Sequence, residues 1–225
     1  MLTSLGIKYN TDKVSHRFLE HYEKHFHDFK KDKFNLLEIG VFFGSSIKMW
    51  DEYFVNANIY GVDTFEGKQG NGNIFPNADK YYKEWECSSQ DKIHLVKLDQ
   101  SSKSQLENYK NTCLNENLNF KIILDDGSHL MYDQQISFYN LFPLVEPGGY
   151  YVIEDIHTSE QSGYDVNENN STKQIFLDIK NNNVPFKSPY ITEEEECNKL
   201  SNDIDTIELC YNSPNSQILI IKKKV

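Results

Sequence analysis

The amino-acid sequence predicts an α/β fold: a mostly parallel sheet of seven strands that ends in an antiparallel hairpin, with helices on both faces. Short apolar runs alternate with helical stretches from residue 34 to residue 153, a pattern typical of a parallel sheet covered by helices. The last two apolar runs, Ile204–Tyr211 and Gln217–Lys222, are separated by only five residues. A connection this short joins antiparallel strands.

The first predicted element is a helix over Val14–Lys31. Aromatic residues between Phe18 and Phe29 recur at three- and four-residue spacing, which favours a helix with one apolar face. Asp12 or Ser15 is a suitable cap for its first turn.

The elements that follow are predicted from short apolar runs for the strands and from mixed polar and apolar residues at helical spacing for the helices. Pro143 ends the last of these helices, and Pro147-Gly148-Gly149 turns the chain into the fifth strand. In chain order they are strand Phe34–Ile39, helix Ser45–Phe54, strand Asn58–Val62, strand Lys92–Leu98, helix Ser102–Asn115, strand Lys121–Leu124, helix Tyr132–Leu141 and strand Tyr150–Ile153.

We expect residues 1–225 to form a single domain, because this length supports one large core and does not require two. Residues 1–33 form its N-terminal helical segment. Two polar stretches, 67–90 and 159–200, interrupt the alternation of strands and helices. We expect them to be insertions that face the acceptor or close over it.

Composition excludes several classes of protein. The formal net charge of −11 argues against nucleic acid or an anionic membrane as the partner. The four cysteines are scattered without a Cys-x-x-Cys pair, which indicates reduced thiols. No apolar run approaches the length of a membrane span, and the first residues lack the apolar core of a signal peptide. We therefore expect a soluble, cytoplasmic protein.

Two acidic clusters follow predicted strands. Asp125-Asp126-Gly127-Ser128-His129 comes after the fourth strand, and Glu154-Asp155 comes after the fifth. Ligands of open α/β sheets bind at the carboxyl ends of the strands, so these groups should surround one point. Carboxylate oxygens favour Mg²⁺ or Mn²⁺ over zinc. The pattern predicts a hard-cation site beside a base, although a histidine in this position is also a possible helix cap and Asp125 a helix cap or pocket wall.

A third signal is the turn Gly40–Gly44 after the first strand, preceded by Glu38. Glycine permits close approach of a ligand. The spacing Gly-x-x-x-Gly differs from the Gly-x-Gly-x-x-Gly of pyrophosphate binders, and a turn of this kind alone is also a common strand-to-helix connection in α/β folds. Asp63 ends the second strand, where an acidic residue can accept bonds from ribose hydroxyls. Asp99-Gln100 ends the third and would lie near adenine. S-adenosylmethionine fits this predicted pocket, because it contains adenosine but no phosphate groups.

Four segments make the chain resemble a class I S-adenosylmethionine-dependent methyltransferase, and within that class the metal-dependent macrocin- and mycinamicin-type and rhamnosyl sugar O-methyltransferases. The segments are Asn10-Thr11-Asp12-Lys13 with His16, Glu38–Ser46 with Trp50, Asp125–His129 and Pro147–Asp155.

The resemblance implies a role for each matching position. It makes Asp126, Glu154 and Asp155 the magnesium ligands and His129 the general base. Cofactor contacts are expected from Glu38, Gly40 and Gly44, from the strand-end residues Asp63, Asp99 and Gln100 described above, and from Thr11 and Lys13, which with Tyr9 would close over the methionine carboxylate. Acceptor contacts are expected from Tyr9, His16 and His157.

The predicted function is Mg²⁺-dependent transfer of a methyl group from S-adenosylmethionine to a hydroxyl of a sugar or a sugar-containing metabolite, such as a polysaccharide or antibiotic precursor. Three alternatives remain open: a catechol-type O-methyltransferase, a nicotinamide-dependent sugar-modifying enzyme and a non-catalytic glycan-binding module. The expected partner is a small-molecule acceptor, without nucleic acid or membrane, and a homo-oligomer is compatible with the sequence.

Overall fold

The computed structural model describes residues 1–67, 72–88, 91–164 and 171–225. Its strands within these ranges are β1 Asn35–Ile39, β2 Asn58–Asp63, β3 Ile93–Lys97, β4 Phe120–Asp125, β5 Val145–Ile153, β6 Ile204–Ser213 and β7 Ser216–Lys223. Its α-helices are α1 Leu2–Tyr9, α2 Phe18–Phe26, α3 Ser45–Tyr53, α4 Lys80–Glu86, α5 Lys103–Asn115, α6 Met131–Leu141, α7 Thr172–Asn182 and α8 Glu194–Asn202.

The strands form one seven-stranded sheet in the order β3-β2-β1-β4-β5-β7-β6. The first five strands pair in parallel, whereas β7 pairs antiparallel with both β5 and β6. The predicted fold, including its terminal hairpin, is confirmed. The order places the ends of β1 and β4 side by side, with Ile39 paired to Asp125.

Both faces of the sheet are covered. Neighbouring residues of β1 show this directly, because Leu36 and Leu37 are both buried and belong to opposite apolar clusters. Leu37 packs in the cluster that contains Phe138 of α6, and Leu36 in the cluster that contains Trp50 of α3. A parallel strand buried on both faces is expected to be a nearly continuous apolar run, which is why these strands were visible in the sequence.

The N-terminal segment differs from the prediction of one helix over Val14–Lys31. The chain forms α1, a short 3-10 helix over Asp12–Val14 and then α2. Arg17, the residue before α2, lies in the left-handed region at φ +60°. Helix α2 therefore begins at Phe18, four residues after the predicted start at Val14, and it ends at Phe26 rather than at Lys31. The side chain of Lys13, in the Asp12–Val14 segment, is buried and contacts Asp126.

The two expected insertions contain helices. The first contains α4, and the second contains α7 and α8, which pack Phe176, Cys197 and Leu200 into the core. Residues 68–71 and 89–90 of the first insertion and 165–170 of the second lie outside the described residues. The described part of the second insertion therefore contributes side chains to the hydrophobic core.

In the part of the chain that the structure describes, we find no helix with the length and apolarity that a membrane crossing requires.

Candidate active site

The turn after β1 begins the site. Gly40 has φ +88°, and a Cβ atom there would lie 2.0 Å from the carbonyl oxygen of Asp126. The position therefore requires glycine. Asp63 Oδ2 accepts hydrogen bonds from the backbone N–H groups of Val41 at 2.8 Å and Phe42 at 2.9 Å. The turn is thus held between the end of β2 and the first acidic cluster.

Two further predicted residues adjoin the turn after β1: Gly44 ends it, and Glu38 precedes it. Gly44 caps α3 at φ +73°, and a Cβ atom there would lie 2.2 Å from the ring of Tyr81. Glu38 is fully buried, and its Oε2 accepts a hydrogen bond from Ser46 Oγ at 2.8 Å. Burial raises the pKa of Glu38 against the effect of nearby Lys13.

The strand ends enclose a cavity of about 640 Å³. Its walls come from the glycine turn, the ends of β2 and β3, the Asp126–Leu130 loop and the N-terminal segment before Lys13. The predicted site residues among its lining are Thr11, Gly40, Asp63, Asp99, Gln100, Asp126 and His129. This volume falls within the usual range of small-molecule sites, about 300–1,000 Å³.

Gln100 ties the end of β3 to the first acidic cluster. Its Nε2 donates to Asp125 Oδ1 at 2.7 Å, and its Oε1 accepts from the Ser128 backbone N–H at 2.9 Å. Asp125 is almost completely buried, and burial raises its pKa to about 7 although Gln100 lowers it. Asp99 accepts a bond from the Ser101 backbone N–H at 2.9 Å. Gln100 therefore holds the Asp126–Leu130 loop through both the nitrogen and the oxygen of its side-chain amide.

An inner cluster, defined as Lys13, Glu38, Asp126 and Glu154, lies beside the cavity. The Lys13 ammonium contacts Glu38 Oε1 at 3.2 Å, Glu154 Oε1 at 2.9 Å and Asp126 Oδ2. Tyr22 donates its hydroxyl to the same Glu154 oxygen at 2.6 Å. Three carboxylates thus share one ammonium in an almost dry environment.

Charge and burial oppose each other in the inner cluster. Burial alone lowers the pKa of Lys13, but the carboxylates outweigh it and raise that pKa well above its ordinary value. Burial raises the pKa of Glu154 to about 7 against the effect of Lys13. Burial and the neighbouring Glu154 charge raise the pKa of Asp126. Burial thus disfavours the charged forms of these carboxyl groups, and the Lys13 ammonium opposes that effect.

An outer cluster, defined as Asp126, His129 and Asp155, lies on the other side of Asp126. Asp155 Oδ2 is 3.6 Å from His129 Nε2, and its Oδ1 is 3.7 Å from both His16 Nδ1 and His157 Nδ1. His129 and Asp155 have φ values of +62° and +51°. Such strained backbone is typical of functional sites. Burial lowers the pKa values of His129 and His157.

The donor atoms fit a hard cation. Two groups of ligand atoms lie within 4.8 Å of one another among the described residues, with one atom from each residue. The first group comes from Asp126, His129 and Asp155, and the second from Glu38, Asp126 and Glu154. Asp155 Oδ1 and His129 Nδ1 are buried without a hydrogen-bond partner among these residues. The predicted metal ligands Asp126, Glu154 and Asp155 are brought together at one end of the sheet but divided between the two clusters.

Tyr9 is not brought to this cavity. It lines a separate cavity of about 420 Å³ with Lys48 and Tyr81, and its hydroxyl donates to Glu52. His16 and His157 reach Asp155 rather than the main cavity lining within the described residues.

Several contributors were not predicted. The aromatic spacing places Tyr22 on the apolar face of a helix and gives its hydroxyl no partner. A buried tyrosine usually finds a hydrogen-bond partner for its hydroxyl, so the choice of tyrosine over phenylalanine at this position was the available signal. Asn10 and Asp12 line the cavity. Thr158 Oγ1 donates to the His129 carbonyl oxygen at 3.0 Å, a contact for which the sequence carries no local signal.

No family model matches the chain, but individual proteins do. It is 32% identical over 172 residues to mycinamicin VI 2''-O-methyltransferase of Micromonospora griseorubida, a match that covers 72% of this chain and 38% of the relative. It is 33% identical over 172 residues to a rhamnosyl-tetracenomycin-C 3'-O-methyltransferase of Streptomyces olivaceus, with the same coverage. The chain spans less than two fifths of the length of these relatives.

Solved structures agree. The mycinamicin-pathway methyltransferase MycE, crystallised with Mg and SAH, superposes with a TM-score of 0.72 at 25% identity, over 99% of this chain and 54% of that one. A structure of the same enzyme that also contains mycinamycin VI has a TM-score of 0.70 at 24% identity, over 99% of this chain and 54% of that one. The fold of the two proteins is therefore the same.

Proposed function

We propose a function for this chain from the premise that it is a class I methyltransferase homologous to the mycinamicin- and macrocin-type sugar O-methyltransferases. It transfers a methyl group from S-adenosylmethionine to a hydroxyl of a sugar or a sugar-containing metabolite, with Mg²⁺ bound at the acidic clusters.

One observation supports this most directly. Asp126 and His129 line the same cavity as the glycine turn and Asp63, and Asp155 lies 3.6 Å from His129. A nucleoside pocket, a hard-cation site and a base therefore adjoin one another. That combination is what metal-assisted O-methyl transfer requires.

The cofactor end of the cavity is assigned to Gly40, Asp63, Asp99 and Thr11. Asp63 lies at the end of β2 in the cavity lining, the position from which an acidic residue accepts ribose hydroxyls. Its Oδ2 accepts two backbone N–H groups of the glycine turn, and its Oδ1, which accepts the Phe65 N–H at 2.7 Å, is the oxygen we assign to the ribose. Bound there, S-adenosylmethionine supplies the electrophilic methyl group. Lys13 contacts carboxylates of the protein, which favours a role for it other than the predicted contact with the methionine carboxylate.

The metal end is assigned to Asp126, Glu154 and Asp155. A bound Mg²⁺ would hold neighbouring oxygens of the acceptor and lower the pKa of the hydroxyl to be methylated. His129 would take the proton from the acceptor hydroxyl, whose oxygen would attack the methyl carbon as the carbon–sulfur bond breaks and S-adenosylhomocysteine leaves. Because burial lowers the pKa of His129, the imidazole is neutral near pH 7 and ready to act as a base.

The acceptor class follows the relatives, which include O-methyltransferases named for a rhamnosyl tetracenomycin and an olivosyl oleandolide. A vicinal diol of a sugar offers a metal two neighbouring oxygens. A catechol offers the same pair, so the experiment must separate these classes.

The test is transfer of labelled methyl from S-adenosylmethionine in the presence of Mg²⁺, with nucleotide sugars, capsular and antibiotic sugars, and catechols as acceptors. We expect label in a sugar, and loss of transfer on addition of EDTA with recovery on excess Mg²⁺. Label in catechols alone would replace the proposed acceptor. Transfer that EDTA leaves unchanged would remove the metal from the mechanism. Calorimetry that detects no binding of S-adenosylmethionine to the folded protein would refute the function.

A further inference from the structure

Asp126 belongs to both clusters, and Lys13 fills one of them. The ligand atoms of Glu38, Asp126 and Glu154 lie within 4.8 Å of one another, a spacing at which three carboxylates can hold a metal ion. The Lys13 ammonium lies among them, in contact with all three. Its side chain is only 1% exposed.

We propose that Lys13 is a positioning residue for the metal. It occupies the inner cluster as a resident cation and so confines a divalent ion to the side of the outer cluster, where Asp126 and Asp155 supply carboxylates and His129 remains the neighbouring base. Lys13 and Tyr22 both engage Oε1 of Glu154, so neither contact holds its Oε2. This inference rests on the proposed function, since it concerns the same metal.

Geometry supports the exclusion. An ion held by the inner carboxylates would have to share a space that Lys13 Nζ already enters at 2.9 Å from Glu154 and 3.2 Å from Glu38. Two cations at such a separation repel each other strongly in a dry site. One cation therefore excludes the other from the inner cluster, whereas the outer cluster contains no lysine and includes His129, which lines the cavity.

The position of the ion matters for the reaction. An ion in the outer cluster lies beside the cavity, where an acceptor can reach it together with His129. An ion in the inner cluster would lie among fully buried side chains of Glu38 and Glu154, away from the acceptor. Lys13 also ties the segment before it, including Asn10 and Asp12 of the cavity wall, to the metal ligands.

The experiment counts Mn²⁺ ions by calorimetric titration and by electron paramagnetic resonance of the full chain. Wild-type protein should bind one ion. Lys13→Met should bind two, with a spectrum broadened by the coupling of neighbouring ions, and should lose methyl transfer at least tenfold. Lys13→Arg retains a cation in the inner cluster and should bind one. Lys8→Met is the matched control, because Lys8 is an exposed lysine of the same segment that pairs with Glu52; it should bind one ion.

A folded Lys13→Met protein that binds one ion would overturn the proposal. If this variant unfolds without metal, Mn²⁺ should restore its folding, because the ion replaces the missing ammonium; failure to fold at saturating Mn²⁺ would equally overturn it. A failure of the proposed function has a different result: wild-type protein itself would bind no Mn²⁺ and transfer no methyl group. That result would also remove the premise of this inference.

Discussion

Tyr22 donates its hydroxyl to Glu154 Oε1 at 2.6 Å, joining two fully buried groups that are 132 residues apart in the chain. The bond connects the N-terminal helix α2 to the end of β5. It also fixes one oxygen of a carboxylate that the metal site is proposed to use. The N-terminal segment is therefore part of the site rather than a separate cover.

Tyr22→Phe should destabilise the protein by about 1–3 kcal/mol, because the buried Glu154 oxygen loses a donor and only the Lys13 contact remains. Urea unfolding followed by circular dichroism measures the change. Tyr53→Phe is the control, since its hydroxyl donates to the partly exposed Glu23 at 3.1 Å; the loss there should stay below about 1 kcal/mol. Equal losses in the two variants would contradict a special role for the Tyr22 contact.

The architecture could be predicted from local patterns, and the inner cluster could not. Apolar runs such as Lys121–Leu124 mark buried strands wherever the fold places them. The contact between Lys13 and Asp126 joins residues 113 positions apart, and the left-handed residue Arg17, which separates the Lys13 segment from α2, has no signature in the side chains around it. The family pattern singles out Lys13, but for a contact with the methionine carboxylate rather than with Asp126.

Gly40→Ala should destabilise the fold strongly. Its Cβ atom would lie 2.0 Å from the Asp126 carbonyl oxygen, and φ is +88°. Gly163→Ala separates the two effects, because Gly163 has φ +101° but nothing within 4 Å of an added Cβ. The control should cost about 1–3 kcal/mol from backbone strain, and Gly40→Ala should cost at least about 1 kcal/mol more from the clash.

The same urea titrations measure both glycine variants. Similar stability of the two would mean that the Asp126 loop shifts freely, and the close packing of turn and loop would then not shape the cavity.

His129→Ala should reduce kcat about 10²- to 10⁴-fold, the usual contribution of a positioned base, while S-adenosylmethionine binds within about twofold of wild type by calorimetry. His27→Ala is the control, since His27 is exposed and pairs with Glu23 on the surface. Turnover of His129→Ala within tenfold of wild type would assign the base to another group.

The fold should become less stable between about pH 4 and pH 7 because of Asp125. Burial raises its folded pKa to about 7, whereas an unfolded aspartate titrates near 3.9. The folded state therefore binds this proton more tightly, so the stability it contributes is present below about pH 4 and is lost as the pH rises to about 7. Asp125→Asn removes the titration but retains an oxygen that can accept from Gln100 Nε2.

We therefore expect thermal unfolding of Asp125→Asn to show a flatter dependence of Tm on pH between 5 and 8 than wild type does. The effect of the unfolded chain cancels, because both proteins share every other titrating group. A parallel curve for Asp125→Asn would mean that Gln100 and Tyr151, which both donate to this carboxylate, keep it ionised in the folded protein despite its burial.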